Sequence, residues 1–170
     1  SRGPSEDGRI KPDICANGIN QMSTDGPNTY QVGGGTSAAC PGIAGIVTQL
    51  HHAYRDLNSG QTAEGALIKA CMLNTAEDLG NAGPDFKHGF GRVNAFKAVT
   101  TLEDIRYQSD VISQGITNSH TITVPANTLQ LRVMLHWTDF EGDPLAAKAL
   151  VNDINMLVTD PSSATFEPLV

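Results

Sequence analysis

The chain has 170 residues, 39% of them hydrophobic, enough for one ordinary domain or two small ones with a real core. Eighteen acids against eleven bases give a formal charge of −7, so there is no basic patch and neither nucleic acid nor an anionic membrane is expected as a partner. No apolar run approaches the ~20 residues that span a bilayer.

Residues 1–36 are rich in Gly, Pro, Asn and Asp. Ser1-Arg2-Gly3-Pro4 opens into polar loop with no signal peptide, as expected if a leader has been removed or the chain starts inside a longer protein. The apolar piece from Ile10 to Ala16 reads as a buried strand end or turn, and Asn17-Gly18 as a turn. Residues 23–35 read as loop.

From Ser37 the pattern turns helical. Ala39, Ile43, Ile46, Val47, Leu50, Tyr54 and Leu57 recur at spacings of three and four. The first half is apolar all round and is predicted to be buried; the second half, with His51, His52, Arg55 and Asp56, is predicted to surface. Asn58-Ser59-Gly60 stops the helix. Thr62 is the predicted cap of a second helix, whose apolar face holds Ala63, Ala66, Leu67, Ala70, Cys71 and Leu73 and which ends near 74–76. Residues 77–91 read as loop. A third helix is predicted over about 94–101.

The character changes near residue 103. Residues 120–124 read as a short strand ended by Pro125. Leu129, Leu131, Val133, Leu135 and Trp137 alternate strictly, which predicts a strand over 129–137 with one buried face. Residues 154–159 read as another strand. The three cysteines, Cys15, Cys40 and Cys71, form no Cys-x-x-Cys pair, so buried free thiols are expected and no zinc site.

The segment Gly35-Thr36-Ser37-Ala38-Ala39-Cys40-Pro41 carries the chemistry. It sets one hydroxyl after a run of three glycines, at the start of a helix. A serine hydroxyl is a weak nucleophile until a base takes its proton, and acyl transfer needs donors aimed at the developing oxyanion. A serine at a helix N-terminus offers its own N–H in a positive field. Glycines beside it let a substrate backbone approach closely. The bland alternative for Ser37 is a helix cap. A phosphate loop does not fit, because the required Lys is missing. His51 and His52, being adjacent, point to different sides of a helix and read as surface residues.

This motif, followed by Ile43-Ala44-Gly45, resembles the active-site serine segment of the subtilisin-like serine proteases, the subtilases. The flanks fall in the family's order. Gly8 to Ile14 with Ala16-Asn17-Gly18 resembles its lysine-proline-aspartate strand and turn, with Asn17 where a proline is usual. Gly89 to Asn94, with Ala95 and Ala98, resembles the segment that closes its catalytic domain. Leu135-His136-Trp137-Thr138-Asp139 and Leu150 to Asn155 are similar to a subgroup with a C-terminal jelly-roll-like domain.

The resemblance implies an α/β fold. Residues 1–103 would be the C-terminal part of a parallel-sheet peptidase domain, and 107–170 the start of an antiparallel β-sandwich. It implies a secreted endopeptidase acting on protein or peptide substrates, with Ser37 as nucleophile and backbone oxyanion donor, Thr36 as its support and Gly35 in the substrate-binding segment. In the family the triad runs Asp, His, Ser along the chain, yet all five histidines here follow Ser37. The fragment is therefore expected to be inactive alone and to self-associate, with a non-catalytic interaction module as the alternative. The chemistry needs no cofactor. Asp139, Glu141 and Asp143 alternate in a loop ended by Pro144, a spacing that can ligate calcium. The subgroup carries calcium there, but Asn155 stands where relatives often have an acid, so a hydrogen-bonded acidic loop is expected.

Overall fold

The computed structural model describes residues 1–143, 145–146 and 149–168. Its elements, in chain order, are β1 (Gln21–Asp25), β2 (Thr29–Gly33), α1 (Thr36–Leu57), α2 (Gly65–Asn74), α3 (Ala95–Glu103), β3 (Val158–Thr159) and β4 (Thr165–Phe166).

The three helices enclose the core. Leu50 of α1 meets Ile68, Cys71 and Met72 of α2 and Ala98 and Leu102 of α3, with Ala63 completing the cluster. Ile43, Ile46, Val47 and Tyr54 extend the stripe of Leu50 at helical spacing and pack on this cluster. The Tyr54 ring lies 6.3 Å from that of Tyr107, at 48°. The predicted burial of the first half of α1 is not found: Cys40, Pro41, Gly42, Ala44 and Gly45 are exposed. This half is apolar on every side, but α2 and α3 cover only one side of it.

Helix α2 begins two residues later than predicted, capped at Glu64 rather than Thr62. Ala63 is drawn into the core at 6% exposure, and Glu64 keeps extended backbone at the cap. Helix α3 begins where predicted. The Asn94 carbonyl oxygen of the side chain accepts from the Lys97 amide at 2.9 Å, and its Nδ2 donates to Glu77 at 2.8 Å. Glu77 also pairs with Arg92.

A small ladder ties the N-terminal segment to the stretch before α3. The Cys15 amide donates to the Gly91 carbonyl at 2.8 Å, the Val93 amide to Cys15 at 2.9 Å, and the Phe90 amide to Asp13 at 2.9 Å. On the other side Glu77 and Arg92 exchange two bonds of 2.8 Å. Gly91 must be glycine: its φ is +113°, and a Cβ there would lie 2.1 Å from the Glu77 carbonyl oxygen.

The strand expectations fare differently. Residues 23–35, read as loop, contain most of the β1–β2 hairpin, in which Met22 faces Val32 and Thr24 faces Tyr30. Among the described residues the ladders are two antiparallel pairs, and the parallel pairing is the isolated Cys15–Arg92 bridge, so no parallel sheet is assembled. Nor do the described residues of 107–168 show a β-sandwich. Residues 120–124 and 129–137 join no ladder, and only β3 survives of the strand predicted over 154–159. An alternating segment becomes a strand only when a neighbour accepts its backbone hydrogen bonds. Here Leu129, Leu131 and Leu135 stay exposed, and Arg132 leans instead on the end of α2. It donates through Nη1 to the Ala76 carbonyl at 2.9 Å and accepts from Asn74 at 3.3 Å. Trp137 is half-buried, with its Nε1 shielded from solvent and unbonded.

Candidate active site

The site is built on a turn, a glycine pair and a helix start. The Gly35 amide donates to the Gly18 carbonyl at 2.7 Å, which pins the entrance of α1 to the turn at 16–18. Both sides need glycine. A Cβ at Gly18 would lie 2.7 Å from the Gly35 carbonyl oxygen, and one at Gly34 would lie 2.7 Å from the Gly18 carbonyl oxygen. Gly35 caps α1 with φ 108° and ψ 175°, a conformation reserved for glycine. Its carbonyl then accepts from Ala38 at 3.1 Å and Ala39 at 3.2 Å, starting the helix.

Thr36 and Ser37 are the first two helical residues, and both are exposed. Ser37 is therefore not the cap; that position belongs to Gly35. Its hydroxyl has no hydrogen-bond partner among the described residues. Its N–H lies in the first turn, where amides have no intrahelical acceptor. No acid sits in that turn, so no side-chain carboxylate there offsets the positive end of the helix dipole. Pro41 lies inside α1, four residues after Ser37, and removes the donor that would bond the Ser37 carbonyl.

Three of the five histidines are paired with acids away from Ser37. His51 and His52 sit further along α1, roughly 21 Å from Ser37 by helical rise. His52 lies 3.5 Å from Asp56, His120 3.7 Å from Asp110, and His88 3.7 Å from Asp85. No hydrogen bond or ion pair described here joins a histidine to Ser37.

The Asp85–His88 pair is the most enclosed of these, yet it is part of a turn. Asp85 Oδ1 accepts from the His88 amide at 2.7 Å and the Lys87 amide at 2.8 Å, and these bonds hold its carboxyl below the usual range. Two surface depressions, of about 470 and 490 Å³, lie around His52 and Asp56, away from residues 35–37.

Asp139 of the acidic loop accepts from the amides of Phe140 (3.0 Å), Val151 (2.8 Å) and Asn152 (3.1 Å), and from Asn152 Nδ2 at 2.7 Å. Burial alone would raise its carboxyl; the amides of Val151 and Asn152 reverse that and lower it. Asp143 accepts from the Leu145 amide at 2.9 Å. Glu141 is exposed. Pro144, the expected end of this loop, lies outside the described residues.

Of the cysteines, Cys71 is buried and its thiol is pushed up to about 11 by desolvation. Cys15 is half-buried and also raised, by burial and then by the charge of Asp85. Cys40, predicted to be buried, is exposed on the uncovered side of α1. Sequence reasoning named the glycines at 33–35 but missed that Gly18 anchors them. The Asn17-Gly18 turn was visible, but its partner lies seventeen residues on, and nothing local signals it.

A family model described as the subtilase family matches residues 1–91, more than half of the 170 residues. The chain is 28% identical over 193 aligned residues to the serine protease/ABC transporter B family protein tagA of Dictyostelium discoideum, covering 91% of this chain and 11% of that protein. It is 37% identical over 110 residues to the minor extracellular protease Vpr of Bacillus subtilis (strain 168), covering 58% of this chain and 13% of that one. The structure of the Clostridium perfringens CspB protease aligns with a TM-score of 0.52 and 29% identity over 59% of this chain and 22% of that one. The chain thus spans a small part of the length of each relative. The ordered glycines, the serine helix and these matches agree: the chain belongs to the subtilase family.

Proposed function

We propose that this chain supplies the nucleophile of a serine endopeptidase. Ser37 attacks a peptide carbonyl carbon, and its proton passes to a histidine contributed by other parts of the enzyme. The Ser37 N–H bonds the developing oxyanion, Thr36 supports the turn, and Gly35 lets the substrate backbone lie close. The amine leaves, and water releases the acyl group from Ser37. Acyl transfer of this kind needs no cofactor. The observation that carries this reading is an exposed, unpartnered Ser37 hydroxyl in the first turn of α1, behind a glycine cap pinned to Gly18.

The finer features belong to the same proposal: protein or peptide substrates, an extracellular location as in the Vpr relative, and a β-sandwich begun by residues 107–170. On this reading the 170-residue chain alone hydrolyses no peptide. A fluorophosphonate probe applied to the full-length enzyme should label Ser37, and Ser37→Ala should abolish labelling. A well-folded enzyme that stays unlabelled would overturn the reading. It would favour a non-catalytic interaction module instead, for which the support is that the histidine–acid pairs here stand apart from Ser37.

A further inference from the structure

We propose that Asn17 is a site of spontaneous deamidation, and that its conversion to isoaspartate releases the anchor of Gly35. Asn17-Gly18 is the one Asn-Gly pair in the sequence, and Asn17 is exposed. The Ile19 amide donates to Asn17 Oδ1 at 3.0 Å. That bond polarises the side-chain carbonyl and stabilises the charge that builds on its oxygen when a nucleophile adds. The nucleophile is the next amide in the chain. The Gly18 N–H donates no hydrogen bond among the described residues, and Gly18 has no side chain to hinder the approach. The position cannot drift to a bulkier, slower neighbour, because a Cβ at Gly18 would lie 2.7 Å from the Gly35 carbonyl oxygen.

The chemistry balances with water alone. The Gly18 nitrogen bonds to Asn17 Cγ and gives up its proton. The Cγ–Nδ2 bond breaks, and Nδ2 takes a proton and leaves as ammonia. Water then adds to either carbonyl of the cyclic succinimide, and the ring C–N bond breaks to give aspartate or isoaspartate. Aspartate leaves the main chain as it was. Isoaspartate routes the main chain through the former side chain and adds a carbon between residues 17 and 18. The Gly18 carbonyl, which holds the Gly35 amide at 2.7 Å, is then displaced. A modification at an exposed turn thereby reaches the start of α1. The inference does not depend on what Ser37 catalyses.

The test is to age the full chain at mildly alkaline pH and follow it by peptide mapping, isoaspartate methyltransferase labelling and amide exchange at Gly35. An unstructured peptide spanning 13–22 is the reference. The expected result is an amide-to-acid mass gain at Asn17, at least as fast as in the peptide. Gly35 exchange should be several-fold faster in the isoaspartate fraction and unchanged in the aspartate fraction. Asn17→Gln, which closes the ring far more slowly, should suppress both changes. Slower conversion than in the peptide, or isoaspartate with Gly35 exchange unchanged, would overturn the proposal.

Discussion

The amide of Gly35 is bonded to the carbonyl of Gly18 at 2.7 Å, two residues before Ser37. This bond fixes where α1 begins, and so where the serine hydroxyl and its N–H stand. The two glycines are required for different reasons, which makes them separable. A Cβ on Gly35 meets nothing within 4 Å, so Gly35→Ala acts only through its φ of 108°. A Cβ on Gly18 meets backbone. Gly35→Ala should cost about 1–3 kcal/mol by denaturant unfolding. Gly18→Ala should cost as much through steric displacement and also speed exchange of the Gly35 amide.

Asn94 holds the start of α3 and reaches across to Glu77. Asn94→Ala should lower stability by about 1 kcal/mol, the usual value of a cap. Asn94→Asp should keep the cap but set a second carboxylate against Glu77, and should fall between the two. Thermal melts of the three chains give the order.

Acid should loosen the segment that carries Trp137. Burial, and then the Lys69 charge, depress His136 below its ordinary value of 6.5, with Asp13 opposing them. The unfolded chain therefore binds the proton first, and stability falls as pH drops below about 6.5, until His136 is protonated in the folded state too. Asp13 adds a second, more acidic window. Burial would raise it, but the Lys11 hydrogen bond and the Lys69 charge win and lower it below 3.8. Its contribution is present above 3.8 and is lost as pH falls through the lowered value. Fluorescence of Trp137, the single tryptophan, should show the first transition, and His136→Gln should remove it.

The thiols should separate by burial. Cys40 is exposed and should react first with a disulfide reagent at neutral pH. Cys15 should lag, and Cys71, pushed up to about 11, should react only on unfolding. A timed thiol titration with Cys40→Ser as control checks the order.

The 170-residue chain should self-associate through its uncovered apolar surface. Met22, Tyr30 and Val32 share one face of the hairpin at 72%, 71% and 60% exposure, and among the described residues no strand pairs with either hairpin edge. Val32→Lys should reduce the mass measured by light scattering. A monomeric parent chain would contradict this expectation.

The helices were legible because each signal is local. The stripe through Ile43, Val47, Leu50 and Tyr54 has helical period, Asn58-Ser59-Gly60 ends α1, and α3 begins within a residue of the predicted 94. The start of α2 was not, because Thr62 competes with the pull of Ala63 into the core. The strand over 129–137 failed for the same kind of reason. Alternation of Leu129, Leu131 and Leu135 describes a two-faced ribbon, but a ribbon needs a neighbour to take its hydrogen bonds.

By itself the sequence determined the family and the motif in which Ser37 stands. The order of glycines, Thr36, Ser37 and the helix that follows is written in adjacent residues, and adjacent residues are what a motif records. Tertiary structure alone decided that Gly35 rather than Ser37 caps the helix, that Gly18 anchors it and that Cys40 is exposed. Those are contacts across the chain or the outcome of which face finds cover. Their energies depend on which surfaces meet, and no local pattern of residues encodes that.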